Sequence, residues 1–422
     1  MDVATWVALA GLPLTAAATY LALAPQRDAR RQGEIETFLR VRRHLKNHWS
    51  ELTLASLANP RAPHRPADSG LPLLTRPGWV PRAPLALSQV SLRLCDAPSK
   101  DDLVQTRRVA SRYWPAGADG RQQEGYSAAI TKHDPPTIWF DSPVYRLLKV
   151  DVADHSSLVM DLCLSRYFEY QDLSESLLYE AAARHMRGNN RPFEGPLRQH
   201  LGNPFDLSRR CALPGINVVT VRVKDSKSFF FMQRRSNKGV GTAFNSTHVA
   251  PAGEFQPHTD ALPIRRSDLN IWHTIMREYA EEFLGHPDSS GGSGVVIDYA
   301  NDRPFAGLEA ARRSGMLRVS FLGIGINPLT WKPEICVACV WEASEFDRTF
   351  ANMLQENDEG VLVVGSHMTA GGFHGLPFTS ENVLGYAQDP STVPEGRACL
   401  ALAWRWRNEL GIPAARAPQG DI

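Results

Sequence analysis

The sequence predicts an α+β protein of two or three domains, and three observations support this. The chain has 422 residues, which exceeds the usual size of a single domain. Hydrophobic residues make up 43% of the chain, an ordinary fraction that suffices for a sizeable core. Short runs rich in β-branched residues alternate with segments of helical spacing, which favours a mixture of strands and helices.

The composition also narrows the classes of function. The formal net charge is +1, so the chain has no general electrostatic attraction to nucleic acid, and no nucleic-acid partner is expected. The six cysteines are scattered and show no disulfide framework.

An uncharged segment covers residues 3–24 and, as a helix, is long enough to cross a bilayer. Arg27 and Arg30 follow it, and this excess of positive charge places the later domains in the cytoplasm. We therefore predict a transmembrane or anchor helix at residues 1–25, in a single-pass protein of the cell membrane. A signal peptide is the first alternative, although Asp2 is the only charged residue before the apolar run. A buried or partner-binding helix is the second.

The rest of the chain divides by composition. Residues 26–58 predict a basic helix, which either lies against anionic headgroups or simply extends the anchor. Residues 59–84 are dense in proline and arginine and predict a linker. An α+β accessory domain of unknown role is expected at residues 85–210. A second domain follows at 211–412, with a tail at 413–422.

Two strands are predicted where the second domain begins. Residues 215–223 are rich in β-branched side chains, and a shorter apolar run follows at 229–232. Arg234 and Arg235 come directly after the second strand. Because guanidinium groups fork onto phosphate oxygens, this pair is a candidate diphosphate clamp. Surface charge that serves solubility is the alternative reading.

An acidic helix is predicted within residues 272–285. Glu278, Glu281 and Glu282 stand at i, i+3 and i+4, so their carboxylates share one face of an α-helix. Like charges at this spacing repel, and a divalent cation such as Mg²⁺, which takes carboxylate oxygens as ligands, relieves the repulsion. A solvated acidic face is the alternative. The opposite face carries the apolar residues that would seat the helix on a core: Ile275, Met276, Tyr279 and Phe283.

The run from Arg277 to Glu282, read REYAEE, resembles the second half of the Nudix box, G-x5-E-x7-R-E-U-x-E-E-x-G-U. Residues 248–255, which contain Gly253 and Glu254, are similar to the stretch written W-x-x-P-G-G in that family. The resemblance implies that residues 211–412 form a Nudix-type α/β/α sandwich with a mixed sheet. It also implies that Arg277 braces a loop–helix–loop.

The resemblance further implies metal-dependent hydrolysis of a nucleoside diphosphate linked to another moiety, so the partner would be a nucleotide-type small molecule. Mg²⁺ or Mn²⁺ would be held by Glu278, Glu281 and Glu282. The predicted catalytic residues are these three glutamates and Arg277. The predicted substrate-binding residues are Arg234, Arg235, Gly253 and Glu254.

The sequence also departs from the family pattern. Counted back from Arg277 without gaps, the first glycine of the box falls on Pro263 and its isolated glutamate on Leu269. If Gly253 is the true counterpart, about ten extra residues lie in the loop. Leu284 occupies the place of the closing glycine, and Gly285 follows. These departures favour an alternative, a catalytically weak or inactive Nudix-fold sensor. A purely structural membrane module is a third reading.

Overall fold

The computed structural model describes most of the chain. The described residues are 14–59, 70–99, 101–117, 121–136, 139–153, 156–189, 191–235, 246–259, 266–286, 296–354, 360–363 and 375–413. Three predicted segments lie partly outside them: residues 3–13 of the anchor, 60–69 of the linker and 414–422 of the tail.

Two helices open the described part of the chain, α1 (Leu14–Asn47) and α2 (Trp49–Ala58). The predicted membrane anchor is wrong, because no helix in the described residues is both long enough and apolar enough to cross a bilayer. The physical reason is the length of the apolar run in α1, which covers only residues 14–24, whereas a span needs about 20 apolar residues. The 34-residue helix then continues through Arg27 and Arg30. The predicted single-pass location in the cell membrane is wrong for the same reason.

The second half of α1 packs against protein. Phe38 and Val41 are buried, and the Phe38 ring lies 5.1 Å from the ring of Tyr126. Arg42 is buried as well, and its Nη1 lies 3.0 Å from Oε2 of Glu175. A buried arginine needs such a carboxylate partner, so this side of α1 is fixed against the accessory region.

The accessory region builds a small mixed sheet covered by helices. The strands of this region, together with a short first strand that pairs elsewhere, are β1 (Leu85–Ala86), β2 (Val90–Leu94), β3 (Pro143–Val152) and β4 (Leu158–Arg166). Strand β2 runs parallel to β4, β3 runs antiparallel to β4, and the order is β2-β4-β3. The helices are α3 (Asp101–Ala110), α4 (Tyr126–His133), α5 (Tyr167–Met186) and α6 (Pro196–Leu201).

The C-terminal region is built on a seven-stranded mixed sheet. Besides β1, its strands are β5 (Gly215–Lys224), β6 (Lys227–Phe230), β9 (Ala252–Glu254), β10 (Leu317–Ile326), β11 (Pro333–Glu342) and β13 (Leu376–Pro377). The main path of the sheet is β1-β10-β11-β5-β6-β13, and β9 also pairs with β5. The pair β11–β5 is parallel and the other pairs are antiparallel. The mixed sheets together with the helices confirm the α+β class.

A second, three-stranded sheet lies in the same region and consists of β7 (Met232–Arg235), β8 (Thr247–Val249) and β12 (Gly360–Val363). The sheet is antiparallel, in the order β12-β7-β8. The helices of the region are α7 (Ile271–Glu278), α8 (Phe305–Arg313), α9 (Ala343–Thr349), α10 (Ser380–Gln388) and α11 (Pro394–Arg405).

Helices cover both faces of the large sheet, as the alternation along β5 shows. Successive side chains of a strand point to opposite faces. Ile216 and Val218 belong to the buried cluster that contains Tyr279, whereas Val219 and Val221 belong to the cluster formed with α11. The predicted strand at residues 215–223 is therefore a central strand, buried on both sides.

The two halves of the chain share one core. Phe38 of α1 and Leu147 of β3 belong to the same buried cluster as Tyr279. Strand β1 pairs with β10, and Leu74 forms an isolated bridge with Ile326. The described end of the proline-rich segment therefore packs along the large sheet.

Candidate functional site

The acidic helix begins at a capped N-terminus and is seated as predicted. The side chain of Asn270 accepts a hydrogen bond from the backbone N–H of Trp272 at 2.8 Å, which satisfies one of the free donors of the first turn. The four predicted apolar contacts with the core are confirmed, since all four side chains are fully buried: Ile275, Met276, Tyr279 and Phe283.

The last turn of this helix is a π-turn over Tyr279–Phe283. Its i→i+5 hydrogen bonds hold one residue more than an α-turn does. Gly285, with φ +67°, follows in the left-handed conformation that ends helices. Gly285, which follows Leu284, therefore ends the helix directly after the π-turn.

Tyr279 fixes this turn to the sheet. Its hydroxyl lies 2.7 Å from Oγ1 of Thr220 on β5 and accepts a hydrogen bond from Nε1 of Trp341 on β11 at 3.2 Å. These hydrogen bonds reach two neighbouring strands, so the acidic turn has a defined position above them.

Two of the three predicted glutamates meet strand β9. Glu278 is 9% exposed, and a Cβ placed on Gly253 would come within 2.0 Å of its Oε1. Glu282 is 4% exposed, and its Oε1 accepts a hydrogen bond from the backbone N–H of Ala252 at 2.9 Å. Glu281 is half-buried. The helix and the glycine-containing stretch therefore form one site, in which only a residue without a side chain leaves room for the Glu278 carboxylate.

Arg277 braces the loop that precedes the helix. Its Nη1 donates to both carboxylate oxygens of Asp268 at 2.9 Å, and its Nη2 donates to the carbonyl of Gln256 at 2.6 Å. Nη2 also donates to Oγ1 of Thr274 at 3.1 Å. One guanidinium group thus holds the residues just after β9 and just before α7.

Asp268 is the electrostatic partner that makes this possible. Burial opposes its ionisation, but the charge of Arg277 and the hydrogen bonds that Asp268 accepts outweigh burial and hold the pKa of this carboxyl well below its usual range. The donors include the backbone N–H of His258 at 2.7 Å and the hydroxyl of Tyr299 at 2.8 Å.

Glu254 belongs to a neighbouring polar cluster rather than to the acidic helix. Nζ of Lys332 lies 2.8 Å from its Oε2 and 2.9 Å from its Oε1. Burial raises the pKa of Glu334 to about 8, although Lys332 lies 3.8 Å away. Nδ2 of Asn217 also donates to Glu334 at 2.9 Å. The charge of Glu254 is therefore balanced inside the protein.

The predicted phosphate clamp lies on a different sheet. Arg234 is exposed and Arg235 is half-buried, both on β7 of the three-stranded sheet. Arg234 is paired in register with Thr247 of β8, and this strand leads through Pro251 into Ala252. The two arginines thus lie on β7, beside the strand β8 that leads into the site. The glutamates lie on the acidic helix, which contacts the glycine-containing strand β9 of the site.

The chemistry of the three glutamates suits a hard divalent cation, because Mg²⁺ and Mn²⁺ take carboxylate oxygens as ligands. Within the described part of the chain, no group of three or more His, Cys, Asp or Glu side chains is arranged to hold a metal ion. The three glutamates carry ligand atoms of the right kind and lie on successive turns. To bind one ion together, their carboxylates would have to move closer to one another.

Sequence reasoning missed Asp268 and Lys332. Asp268 stands one residue before Leu269, where the family pattern has its isolated glutamate, so an acidic residue next to the counted position was the available signal. Lys332 precedes β11 and offers no local signal, because its partner Glu254 lies far away in the sequence.

Neither a scan against protein-family models nor a search of the curated proteins finds a match for this chain. The function of the site therefore has to be argued from its own residues.

Proposed function

We propose that this protein is a metal-dependent hydrolase of the Nudix type, which cleaves a nucleoside diphosphate linked to another moiety. In this proposal the large mixed sheet and its helices on both faces are the Nudix sandwich. The acidic turn of α7 and strand β9 together form the active site.

One observation carries the proposal: the two halves of the Nudix-like pattern meet in space. Glu278 lies against Gly253, and Glu282 accepts a hydrogen bond from Ala252, although the helix and the strand are separated by the stretched loop. A solvated acidic face would have no reason to bury carboxylates against a glycine. The π-turn adds support, because such turns are frequent at functional sites.

The residues take the following roles in the proposal. Glu278, Glu281 and Glu282 would hold Mg²⁺ or Mn²⁺, which when bound offsets charge on phosphate oxygens and lowers the pKa of a bound water. Arg277 is a positioning residue, since its guanidinium is engaged with Asp268 and with the loop carbonyl. Arg234 and Arg235 would bind phosphate oxygens with their forked donors.

The test uses the purified full chain with Mg²⁺ or Mn²⁺ and a panel of dinucleotides and nucleoside-diphosphate derivatives, with release of nucleoside monophosphate as the signal. The double variant Glu281→Gln/Glu282→Gln should lose turnover and keep its circular dichroism spectrum. Glu36→Gln, at an exposed position of α1, is the matched control and should keep turnover. If the full chain hydrolyses no member of the panel, the proposal fails.

A second candidate is a Nudix-fold sensor that binds a nucleotide-like ligand without turning it over. Two contacts favour the sensor, because they place predicted site residues in structural roles. Glu282 accepts a hydrogen bond from the backbone N–H of Ala252, and Glu254 forms an ion pair with Lys332. Isothermal titration calorimetry distinguishes the candidates. A sensor binds a nucleoside diphosphate derivative, releases no monophosphate, and keeps its affinity in the Glu281→Gln/Glu282→Gln variant.

A further inference from the structure

A cavity of about 270 Å³ lies between the end of α2, helix α6 and the loop that precedes β11. We propose that it binds a small organic anion, with the carboxylate or phosphate group on Arg198 and the apolar body against Trp331 and Pro328. It shares no lining residue with the proposed hydrolase site.

Arg198 is the group that points to an anion. The residue is only 4% exposed, yet its Nε has no hydrogen-bond partner among the described residues. Its Nη2 donates to the carbonyl of Leu329. A buried cation that lacks a full set of acceptors is costly, and an oxyanion in the cavity would relieve that cost.

Two aromatic rings hold Arg198 beside the cavity. Its Cζ lies 5.4 Å from the ring centre of Phe193 and 5.2 Å from that of Trp331. Cation–π contacts of this kind stabilise a guanidinium group without using its N–H donors. The Nε–H of Arg198, unpartnered within the described part of the chain, therefore remains for an oxyanion.

The nearest acid does not neutralise Arg198 by a direct ion pair. The carboxylate of Glu180 accepts hydrogen bonds from the backbone N–H groups of Leu197 at 2.7 Å and of Arg198 at 3.2 Å, so it serves the start of α6. No ion pair of the Arg198 side chain is found within the described ranges of the chain. Burial lowers the pKa of Arg198 to about 10, against the opposing effect of Glu180, as expected for a guanidinium without a close carboxylate.

The lining limits the size and charge of the ligand. Glu194 also lines the cavity, but Nη1 of Arg191 lies 3.6 Å from its Oε2 and offsets its charge. Gln199, another lining residue, already donates to the carbonyl of Glu194 at 2.8 Å. The volume of about 270 Å³ lies just below the usual range for small-molecule sites, about 300–1,000 Å³. The ligand is therefore of the size of a substituted benzoate or a phenyl phosphate, with one anionic group.

The experiment is calorimetric titration of the full chain with phenyl phosphate, benzoate, inorganic phosphate and the neutral benzamide. We expect both aromatic anions to bind, inorganic phosphate to bind at least about tenfold more weakly, and benzamide not to bind. Arg198→Gln should lower the affinity for phenyl phosphate at least about tenfold, since hydrogen bonds to charged groups carry that much free energy. Arg82→Gln, at an exposed position that does not line the cavity, is the control and should bind as the wild type does.

Several outcomes would overturn the inference: no binding of either aromatic anion, equal binding of benzamide and benzoate, or unchanged affinity in Arg198→Gln. Inorganic phosphate as tight as phenyl phosphate would mean that the apolar wall plays no part. Thermal unfolding checks that Arg198→Gln is folded. If it is not, Arg198→Lys takes its place, and it should still lose affinity severalfold because an ammonium group lacks the guanidinium fork.

Discussion

The buried ion pair between Arg277 and Asp268 gives the sharpest prediction for stability. Both side chains are 1% exposed, and Nη1 of the arginine lies 2.9 Å from each carboxylate oxygen. We consider three variants: Arg277→Met, Asp268→Asn and the double variant. Each single change leaves the other charge buried without its counter-ion.

The expected magnitudes follow from that burial. Removing one partner of a buried, hydrogen-bonded pair costs about 3–5 kcal/mol, mostly because the remaining charge is uncompensated. The double variant Arg277→Met/Asp268→Asn removes both charges together. Its loss in free energy of unfolding should therefore be smaller than the sum of the single losses by about 1–3 kcal/mol.

Urea unfolding, followed by tryptophan fluorescence and by circular dichroism, measures these losses. Coincident transitions in the two signals are needed before free energies are compared. Lys149→Met is the control, because Lys149 and Asp151 form an exposed pair at 2.8 Å and such pairs contribute about 0–1 kcal/mol. Strictly additive single losses, or single losses no larger than that of the control, would refute the reasoning.

Three further predictions concern the same site. Gly253→Ala should lower the free energy of unfolding by about 1–3 kcal/mol through overpacking, and it should sharply reduce any turnover because the new Cβ displaces the Glu278 carboxylate. The control is Gly385→Ala, where a Cβ meets no atom within 4 Å, and both variants are measured in unfolding and activity assays. The free energy of unfolding should fall as the pH drops below about 4, because the pKa of Asp268 is lower in the folded than in the unfolded state. Urea titrations at pH 5 and pH 3 measure this loss, and it should be smaller in Asp268→Asn. Asn270→Ala removes the N-cap of α7 and should lower the free energy of unfolding by about 1 kcal/mol, whereas an unchanged urea midpoint would argue against the cap.

Local patterns in the sequence predicted the parts of the fold that depend on local periodicity. The strand at residues 215–223 was indicated by its β-branched residues, and it is present as Gly215–Lys224. The buried side of the acidic helix followed from its 3.6-residue spacing, and Tyr279 and Phe283 are fully buried. Both signals are carried by neighbouring residues, so one sequence is enough to read them.

Local sequence patterns did not predict the π-turn, nor did they predict Asp268 and Lys332 as the ion-pair partners of Arg277 and Glu254. A π-turn depends on how Tyr279 reaches Thr220 and Trp341 on two strands, and sequence spacing does not contain those contacts. The membrane prediction failed for a related reason. It treated residues 3–24 as a unit, whereas the described helix α1 extends to Asn47 and its later turns are fixed by contacts with the accessory region.

If the proposed Nudix-type site is correct, the additional residues between β9 and α7 are compatible with it on energetic grounds. Lengthening a flexible loop is cheap, since each doubling of its length costs only about 0.6 kcal/mol of closure entropy. A hydrogen bond to a charged group contributes about 1.5–3 kcal/mol, so even one of the hydrogen bonds that Arg277 makes at the two ends of this segment exceeds that penalty. Because Arg277 also binds the carbonyl of Gln256, it holds the chain just after β9 and just before α7 together, whatever length lies between. The contact between Gly253 and Glu278 can therefore persist with about ten additional residues in this segment, and the departure from the spacing of the Nudix pattern does not by itself argue against the proposed activity.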